Sequence, residues 1–343
     1  MIFQFLVWKI LRLVVVLLGT VLMIFFLMHA VPGNPWDNYS SSPRLMYGLE
    51  YNIPLRRELD RRFGLNLPLW RQLTRYVIGD FNADSTFYCG VVCGNLGPSI
   101  RRAGRPVQEV LFAPPKGGTV WESQFGYSVR LVLLGALIVV GLGVPLGVLS
   151  AVTPKSALSR AISVGLAGLI AIPNFILGLL AILVLASALK IISVIPNWDH
   201  PSNWIVPAFV LAVMPMANIA RVTRSSFLNV LGEDYIRTAR AKGLTQSRVI
   251  WVHVMRNAQV PIITYLGPTL IEMFVGLLIV ENLFSFPGFG SEFWKSVLEL
   301  DYPMIMGMTL VYATGIVLVN ILVEILNEYL DPRMRSSKTP GVQ

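Results

Sequence analysis

Six stretches of this chain are too long and too apolar to be covered by a soluble fold of its size. They run over Ile10–Met28, Val129–Ala151, Ile162–Leu189, Ile205–Ala220, Val260–Leu283 and Met304–Leu326. Crossing the hydrocarbon takes about 20 helical residues. Backbone inside a bilayer must also satisfy its own hydrogen bonds, which leaves helices or closed barrels. The short alternating segments of an outer-membrane barrel are absent. Composition agrees: 54% of residues are hydrophobic, only 14% are charged, and the mean hydropathy is +0.63. The sequence therefore predicts an all-α polytopic membrane protein with six transmembrane helices. The fourth stretch is short and carries Pro207 and Pro215, so its ends are the least defined.

Basic residues give the orientation. The first apolar run is too long for a signal peptide, and His29-Ala-Val-Pro-Gly after it offers no small-residue cleavage site, so it is expected to stay as a helix. With the N-terminus inside, fourteen lysines and arginines fall in cytosolic pieces, against Lys190 and Lys295 in the two short outer loops. That is a strong positive-inside bias. Both termini are thus expected in the cytosol, with a long extracytoplasmic segment between helices 1 and 2. The domain organisation reads as an N-terminal helix over 1–30, an extracytoplasmic segment over 31–126, a five-helix core over 127–333 and a cytosolic tail over 334–343. The net charge of +9 is mostly topogenic, and no nucleic-acid partner is needed to explain it.

The outer segment is less regular. Pro32-Gly-Asn-Pro35 ends the first helix. Pro54–Phe63 and Pro68–Ile78 each open on proline and then mix charge with Leu, Trp and Tyr, as short amphipathic helices do; a solvated linker is the other reading. Gly79–Gly126 is rich in Gly, Pro and Ser and reads as an irregular loop. It holds the two cysteines, Cys89 and Cys93. With none of the three histidines nearby, a local disulfide outside the membrane is favoured over a metal site. Between spans five and six, Phe284–Gly290 is a turn in which proline sets one corner and glycine is expected to supply positive φ at the next. A short helix over Ser291–Leu300 then breaks at Asp301-Tyr-Pro303.

Residues 224–258 form the most distinctive polar stretch. Glu233 and Asp234 start a helical piece, where the macrodipole favours negative charge; Arg237, Arg240 and Lys242 fall towards its end. Gly243 is placed to terminate it in the left-handed conformation. Ile236, Ala239 and Gly243 recur at i, i+3 and i+7, a narrow small-residue face that can slide into a partner's groove. Thr245 is placed to cap a second helix through Arg248, Ile250, His253 and Arg256. The alternative is a basic cytosolic loop that only obeys the positive-inside rule.

Family resemblance rests on several blocks. Arg221-Val-Thr-Arg-Ser-Ser-Phe-Leu-Asn-Val-Leu-Gly-Glu-Asp-Tyr-Ile-Arg-Thr-Ala-Arg-Ala-Lys-Gly-Leu-Thr, with Val252-His-Val-Met-Arg-Asn-Ala258, closely resembles the permeases of dipeptide, oligopeptide and nickel ABC importers. So do Glu281–Gly290, Asp301-Tyr-Pro303 and Leu330-Asp-Pro-Arg333, while Gly94–Ser99, Arg105-Pro-Val107 and Pro32-Gly-Asn-Pro35 look like the family's outer signatures. The resemblance implies a plasma-membrane (inner-membrane) permease that imports peptides by alternating access. Its implied partners are a second homologous permease, cytosolic ABC ATPase subunits, an extracytoplasmic binding protein, the peptide substrate and membrane lipid. The ATP and Mg would sit in the ATPases, and no cofactor is expected in this chain. It further implies an ATPase-coupling loop comprising Glu233, Asp234, Arg237, Thr238, Ala239, Arg240, Ala241, Lys242, Gly243 and Leu244. The wider importer pattern begins this loop Glu-Ala-Ala and later reads Leu-Pro; here those positions are Arg237-Thr238-Ala239 and Met255-Arg256, with the glycine retained as Gly243. Extra material stands around Phe81–Cys93 and Ala113–Glu122.

Charges inside the membrane are expensive and mark function or pairing. Glu272 in mid-span and Glu281 near the outer end of helix five are candidates for the translocation path, expected to face the bundle interior or a partner. Glu324 reads better as an interfacial partner, and Arg130 as a residue that snorkels outwards. Gly141, Gly143 and Gly147 suit close helix contact. No phosphate-binding G-x-x-x-x-G-K-[ST], no G-x-S-x-G and no H-E-x-x-H occurs, so neither ATP hydrolysis nor another catalytic residue is assigned here, and no metal ligands. A gradient-driven transporter and a docking scaffold remain as alternatives. The first calls for inverted repeats and broken helices, which the sequence does not display.

Overall fold

In a computed structural model, the structure describes residues 2–30, 57, 60–61, 63–81, 87–102, 104–114, 118–193 and 196–330. Eleven helices order this part of the chain: α1 (Ile2–Ala30), α2 (Leu69–Val77), α3 (Val107–Phe112), α4 (Gln124–Val152), α5 (Ala157–Ala171), α6 (Asn174–Ala188), α7 (Ile205–Leu231), α8 (Asp234–Ala241), α9 (Gln246–Leu283), α10 (Phe289–Leu298) and α11 (Tyr302–Leu330). Five of them are long and apolar enough to cross a membrane, or six crossings if the bent pair α5–α6 counts as one.

That pair corrects the third expected span. A single straight helix over Ile162–Leu189 does not form; the chain breaks at Ile172-Pro173 and the two halves meet at 99°. Proline explains the break. Its ring pushes the preceding residue out of the helical region, and Ile172 is extended at φ −96°, ψ 120°. The fourth span is corrected in the other direction: α7 runs on to Leu231 despite the internal Pro215. It is buried on nearly every side, including Pro215 itself, and packing offsets the backbone bond lost at that proline.

The chain divides into two compact units, Met1–Tyr127 with Pro287–Val317, and Ser128–Phe286 with Leu318–Gln343. The first unit has its core where α1, α3 and the start of α11 converge on Val21, Phe25, Leu96, Val107, Leu111 and Met308. Its outer part is more regular than its composition suggested. Pro68 caps α2 from an extended conformation. Beyond α2, Gly79–Phe81 (β1) and Phe87–Cys89 (β2) pair antiparallel with Asp80 opposite Tyr88, where an irregular loop was expected. Cys89 and Cys93 are joined, their Cα atoms 5.9 Å apart. The expected helix over Pro54–Phe63 falls mostly outside the described residues, as do the Pro32–Pro35 turn and the terminal Leu330–Arg333 motif beyond Leu330.

The second unit is built around α7. Gly143 and Gly147 of α4 let it approach closely: a Cβ at Gly143 would lie 2.9 Å from the Met216 carbonyl, and one at Gly147 would meet Thr223 at 2.5 Å. Gly141 faces open space and plays no such part. At a different contact Ser226 Oγ donates to the Ala258 carbonyl at 2.9 Å, tying α7 to α9.

Candidate functional site

Residues 224–258 form a helix–turn–helix in the second unit. α7 ends at Gly232, Glu233 turns the chain out in an extended conformation, and α8 begins at Asp234. Its end is a full Schellman closure: Gly243 N–H donates to the Arg240 carbonyl at 2.9 Å and Leu244 N–H to the Ala239 carbonyl at 3.4 Å. Gly243 holds the required left-handed φ of +79°. Nothing lies within 4 Å of where its Cβ would be, so a side chain there meets backbone strain but no steric block.

The orientation of α8 corrects one expectation. Its small face does not await a partner's groove. Ile236 and Ala239 are buried on the chain's own cluster of Phe227, Val249, Ile250, Val254 and Ala258, and Leu244 packs beside them. The exposed face is polar instead: Glu233, Asp234, Arg237, Thr238, Arg240, Ala241, Lys242 and Gly243, with Tyr235 held by Asn257 Nδ2 donating to its hydroxyl at 2.6 Å. The Asp234–Arg237 ion pair, 3.4 Å, is almost fully in solvent, and such pairs contribute little. Thr245 takes the expected cap position, but its side chain accepts no capping bond. From there α9 continues through a wide π turn at Val249–Val254 into its long apolar run.

The intramembrane acids do not come together. Glu272 and Glu281 stand nine residues apart on α9, about half a turn out of register and roughly 13 Å along the axis. Glu272 is exposed on the surface of this chain, not turned to its interior as expected. Glu281 is fully buried and accepts a hydrogen bond from the Ser128 hydroxyl. The Arg130 guanidinium lies over the Trp204 ring, 4.6 Å from its centre. Glu324 is exposed. The Phe284–Gly290 turn is also built differently: Ser285 takes the positive φ (+52°), while Gly288 is extended at φ −107° and caps α10.

A polar network in the first unit was missed in the sequence. Asp301, at 1% exposure, accepts from the Ser99 hydroxyl, from the Ile100 and Arg101 amides at 3.1 and 3.0 Å, and from the Met304 amide at 3.3 Å. The Arg101 guanidinium donates to the Glu299 carbonyl, and Arg102 pairs with the buried Glu292, which also accepts from Gln124 Nε2 at 3.3 Å. Burial works against the Arg102 charge, but the hydrogen bond and charge of Glu292 outweigh it and raise its pKa. Two motifs noticed separately, Gly94–Ser99 and Asp301–Pro303, are thus halves of one dock. Its signal was a lone acid placed to cap a helix that opens with Tyr-Pro. Among the described residues, no group of three or more His, Cys, Asp or Glu could hold a metal ion.

Comparison with known proteins places this arrangement. Residues 143–336 match the family described as the inner-membrane component of binding-protein-dependent transport systems. The oligopeptide transport system permease protein AppB of Bacillus subtilis is 34% identical over 93% of this chain and 95% of its own length. The dipeptide transport system permease protein DppB of Escherichia coli K12 is 33% identical over 94% and 95%. Among solved structures, a chain of the MetNI methionine ABC transporter in an inward-facing form overlays with a TM-score of 0.47 at 18% identity, covering 60% of this chain and 93% of that one. The match runs through α4 to α11 and takes in the whole of the exposed α8 turn, and on that ground the chain belongs to the family of inner-membrane components of binding-protein-dependent transport systems.

Proposed function

We propose that this chain is a permease subunit of an ATP-driven peptide importer, paired with a second homologous permease. A binding protein would deliver the peptide from outside, and cytosolic ATPase subunits, which hold the ATP and Mg, would dock on the α8 turn. Six crossings are proposed, the bent α5–α6 pair being the third, with both termini cytosolic and the long segment between the first two crossings outside. The observation that carries the reading is the two-sidedness of α8. Its apolar face is consumed by the core that joins α7 to α9, while its polar face has almost no partner of its own. A helix so mounted can pass a push from a docked protein into two spans at once. Transmission requires the docked ATPase to bind the two states of the permease differently, because equal affinity shifts nothing.

Glu272 completes the proposal. A carboxylate facing lipid at mid-span costs about 2.5–3.5 kcal/mol, so this exposed face of α9 is assigned to the second permease and the path between them, where the acid would meet a peptide's cationic amino group. Glu281, buried against Ser128, is assigned to the fold.

The test is affinity purification of the tagged chain in mild detergent, with ATPase activity measured on what co-elutes. ATPase subunits should accompany the wild type and be lost from Gly243→Asp, while membrane insertion is unchanged. A chain that reaches the membrane and transports with no ATPase attached would overturn the reading in favour of a gradient-driven carrier.

A further inference from the structure

Apolar side chains gather on the surface of the first unit around α2. This helix turns Leu73 and Tyr76 onto the unit's core and leaves Leu69 and Trp70 in the open, Trp70 at 67% exposure. Ile78 follows at its end, and the hairpin beyond adds Phe81 and Phe87, exposed at 67% and 53% with ring centres 5.3 Å apart. The hairpin is firmly mounted. Just past β2, the Gly90 amide donates to the Ile78 carbonyl at 3.1 Å, and a Cβ on Gly90 would collide with the Tyr76 carbonyl. Arg71 of α2 pairs with Asp80 of β1 at 3.1 Å. Helix and hairpin thus form one braced plate.

That plate stands at the end of a span. The Gln72 amide donates to the carbonyls of Leu65 (3.2 Å) and Leu67 (2.8 Å), and its oxygen meets His29 Nε2 at 3.3 Å. The apolar run of α1 covers Leu11–Ala30, so His29 lies about 27 Å along it from Leu11. The hydrocarbon is about 30 Å thick, which puts the contact at its edge. Met23, Phe26 and Leu27 of α1 are exposed up to this level. Phe26 comes one turn before His29, and Leu69 one turn before Gln72, so apolar surface flanks the contact on both helices.

An exposed apolar patch marks either a protein partner or a membrane. Level and composition favour the membrane. Tryptophan is at home among headgroups, and Arg71 beside Trp70 has its charge matched by Asp80 and a long stem that can snorkel. We propose that Leu69, Trp70, Ile78, Phe81 and Phe87 rest in the bilayer interface beside α1, a foot that fixes the height of the segment following that helix. Only the crossing by α1 is taken from the family reading, and ATPase docking plays no part.

Power-saturation EPR on the full chain in phospholipid nanodiscs tests this seating. One nitroxide at a time is introduced through Trp70→Cys or Phe81→Cys, both at exposed positions, with oxygen and a nickel chelate as collision reagents. Met23→Cys sets the hydrocarbon reference, and Asp234→Cys, at 95% side-chain exposure, sets the aqueous one. Oxygen access should exceed nickel access at both sites, reading a depth of about 5–10 Å below the headgroups. Nickel access at either site equal to that at Asp234 would place the plate in water, and exclusion of both reagents would mean a protein covers it; each result overturns the interfacial foot. A Met23 label in water would overturn the crossing and the foot together, whereas loss of ATPase capture would strike the importer reading alone.

Discussion

Asp301 and Asp234 are both acids at the start of a helix, and they are used in opposite ways. Asp301 is buried and surrounded by donors that the fold itself supplies, among them the Ser99 hydroxyl and the amides of Ile100 and Arg101, some two hundred residues upstream. Asp234 is almost wholly in water, and Arg237 beside it is nearly as exposed. The first acid is spent on structure: remove it and several buried donors lose their acceptor. The second leaves its charge, and that of Arg237, Arg240 and Lys242, in solvent, where the proposed ATPase would meet them. A polar residue whose bonds are complete inside the chain reports on folding. One whose bonds are completed by water leaves its charge on the surface.

That contrast can be broken by substitution, and the largest effect is expected at the dock. Asp301→Ala should destabilise the first unit by about 2–4 kcal/mol, because buried donors are left unpaired and a helix cap is lost. Limited proteolysis of the Gly94–Val107 stretch would show it, and unchanged resistance would refute the dock. Next comes Ala239→Asp, which places a charge on the buried face of α8; a loss of about 1–3 kcal/mol in thermal melts is expected, although the residue is only two positions from the exposed Arg237. The double charge reversal Arg237→Glu with Arg240→Glu should do the reverse. Stability should stay within about 0.5 kcal/mol of wild type, while ATPase capture falls roughly tenfold, or about 1.4 kcal/mol. Were that double variant to melt early and still capture ATPase, the division between the two acids would fail.

Smallest is the Arg71–Asp80 pair. The Arg71 hydrogen bond, helped by the Phe81 amide, holds the Asp80 carboxyl below its usual value. A carboxyl depressed in the folded state adds stability above its unfolded pKa, and that increment fades as the pH falls through the folded value. Arg71→Gln should therefore alter the melting temperature slightly at neutral pH and not at all in strong acid, a difference readable by comparing melts at the two pH values.

Much of this was legible in the chain. Apolar runs located the long helices, because a bilayer accepts few alternatives, and the glycine at 243 located the end of α8, because φ of +79° excludes most other residues. Three features were not legible, each for a local reason. Ile172-Pro173 reads as a kink in an unbroken apolar run, and only the direction of packing shows that it is a 99° corner. The i, i+3 pattern of Ile236 and Ala239 marks an apolar face but not which body covers it. The Ser99–Asp301 bond joins residues too far apart in sequence for any periodicity to connect. Likewise the sequence offers both α9 acids on equal terms and does not show the half-turn that leaves Glu272 exposed and Glu281 buried.

The length of α9 has a mechanical consequence. At 38 residues it is roughly 57 Å long, nearly twice the thickness of the hydrocarbon. Such a rod is a lever: held near its middle, it swings both ends through comparable arcs, so an ångström of travel at Gln246 reappears with opposite sign near Leu283. Pro261 and Pro268 stand on either side of its middle, and each removes a backbone bond and acts as a soft joint there. Stiffening those joints, by Pro261→Ala or Pro268→Ala, should change how much of the stroke reaches the far end without altering what is gripped at the near one.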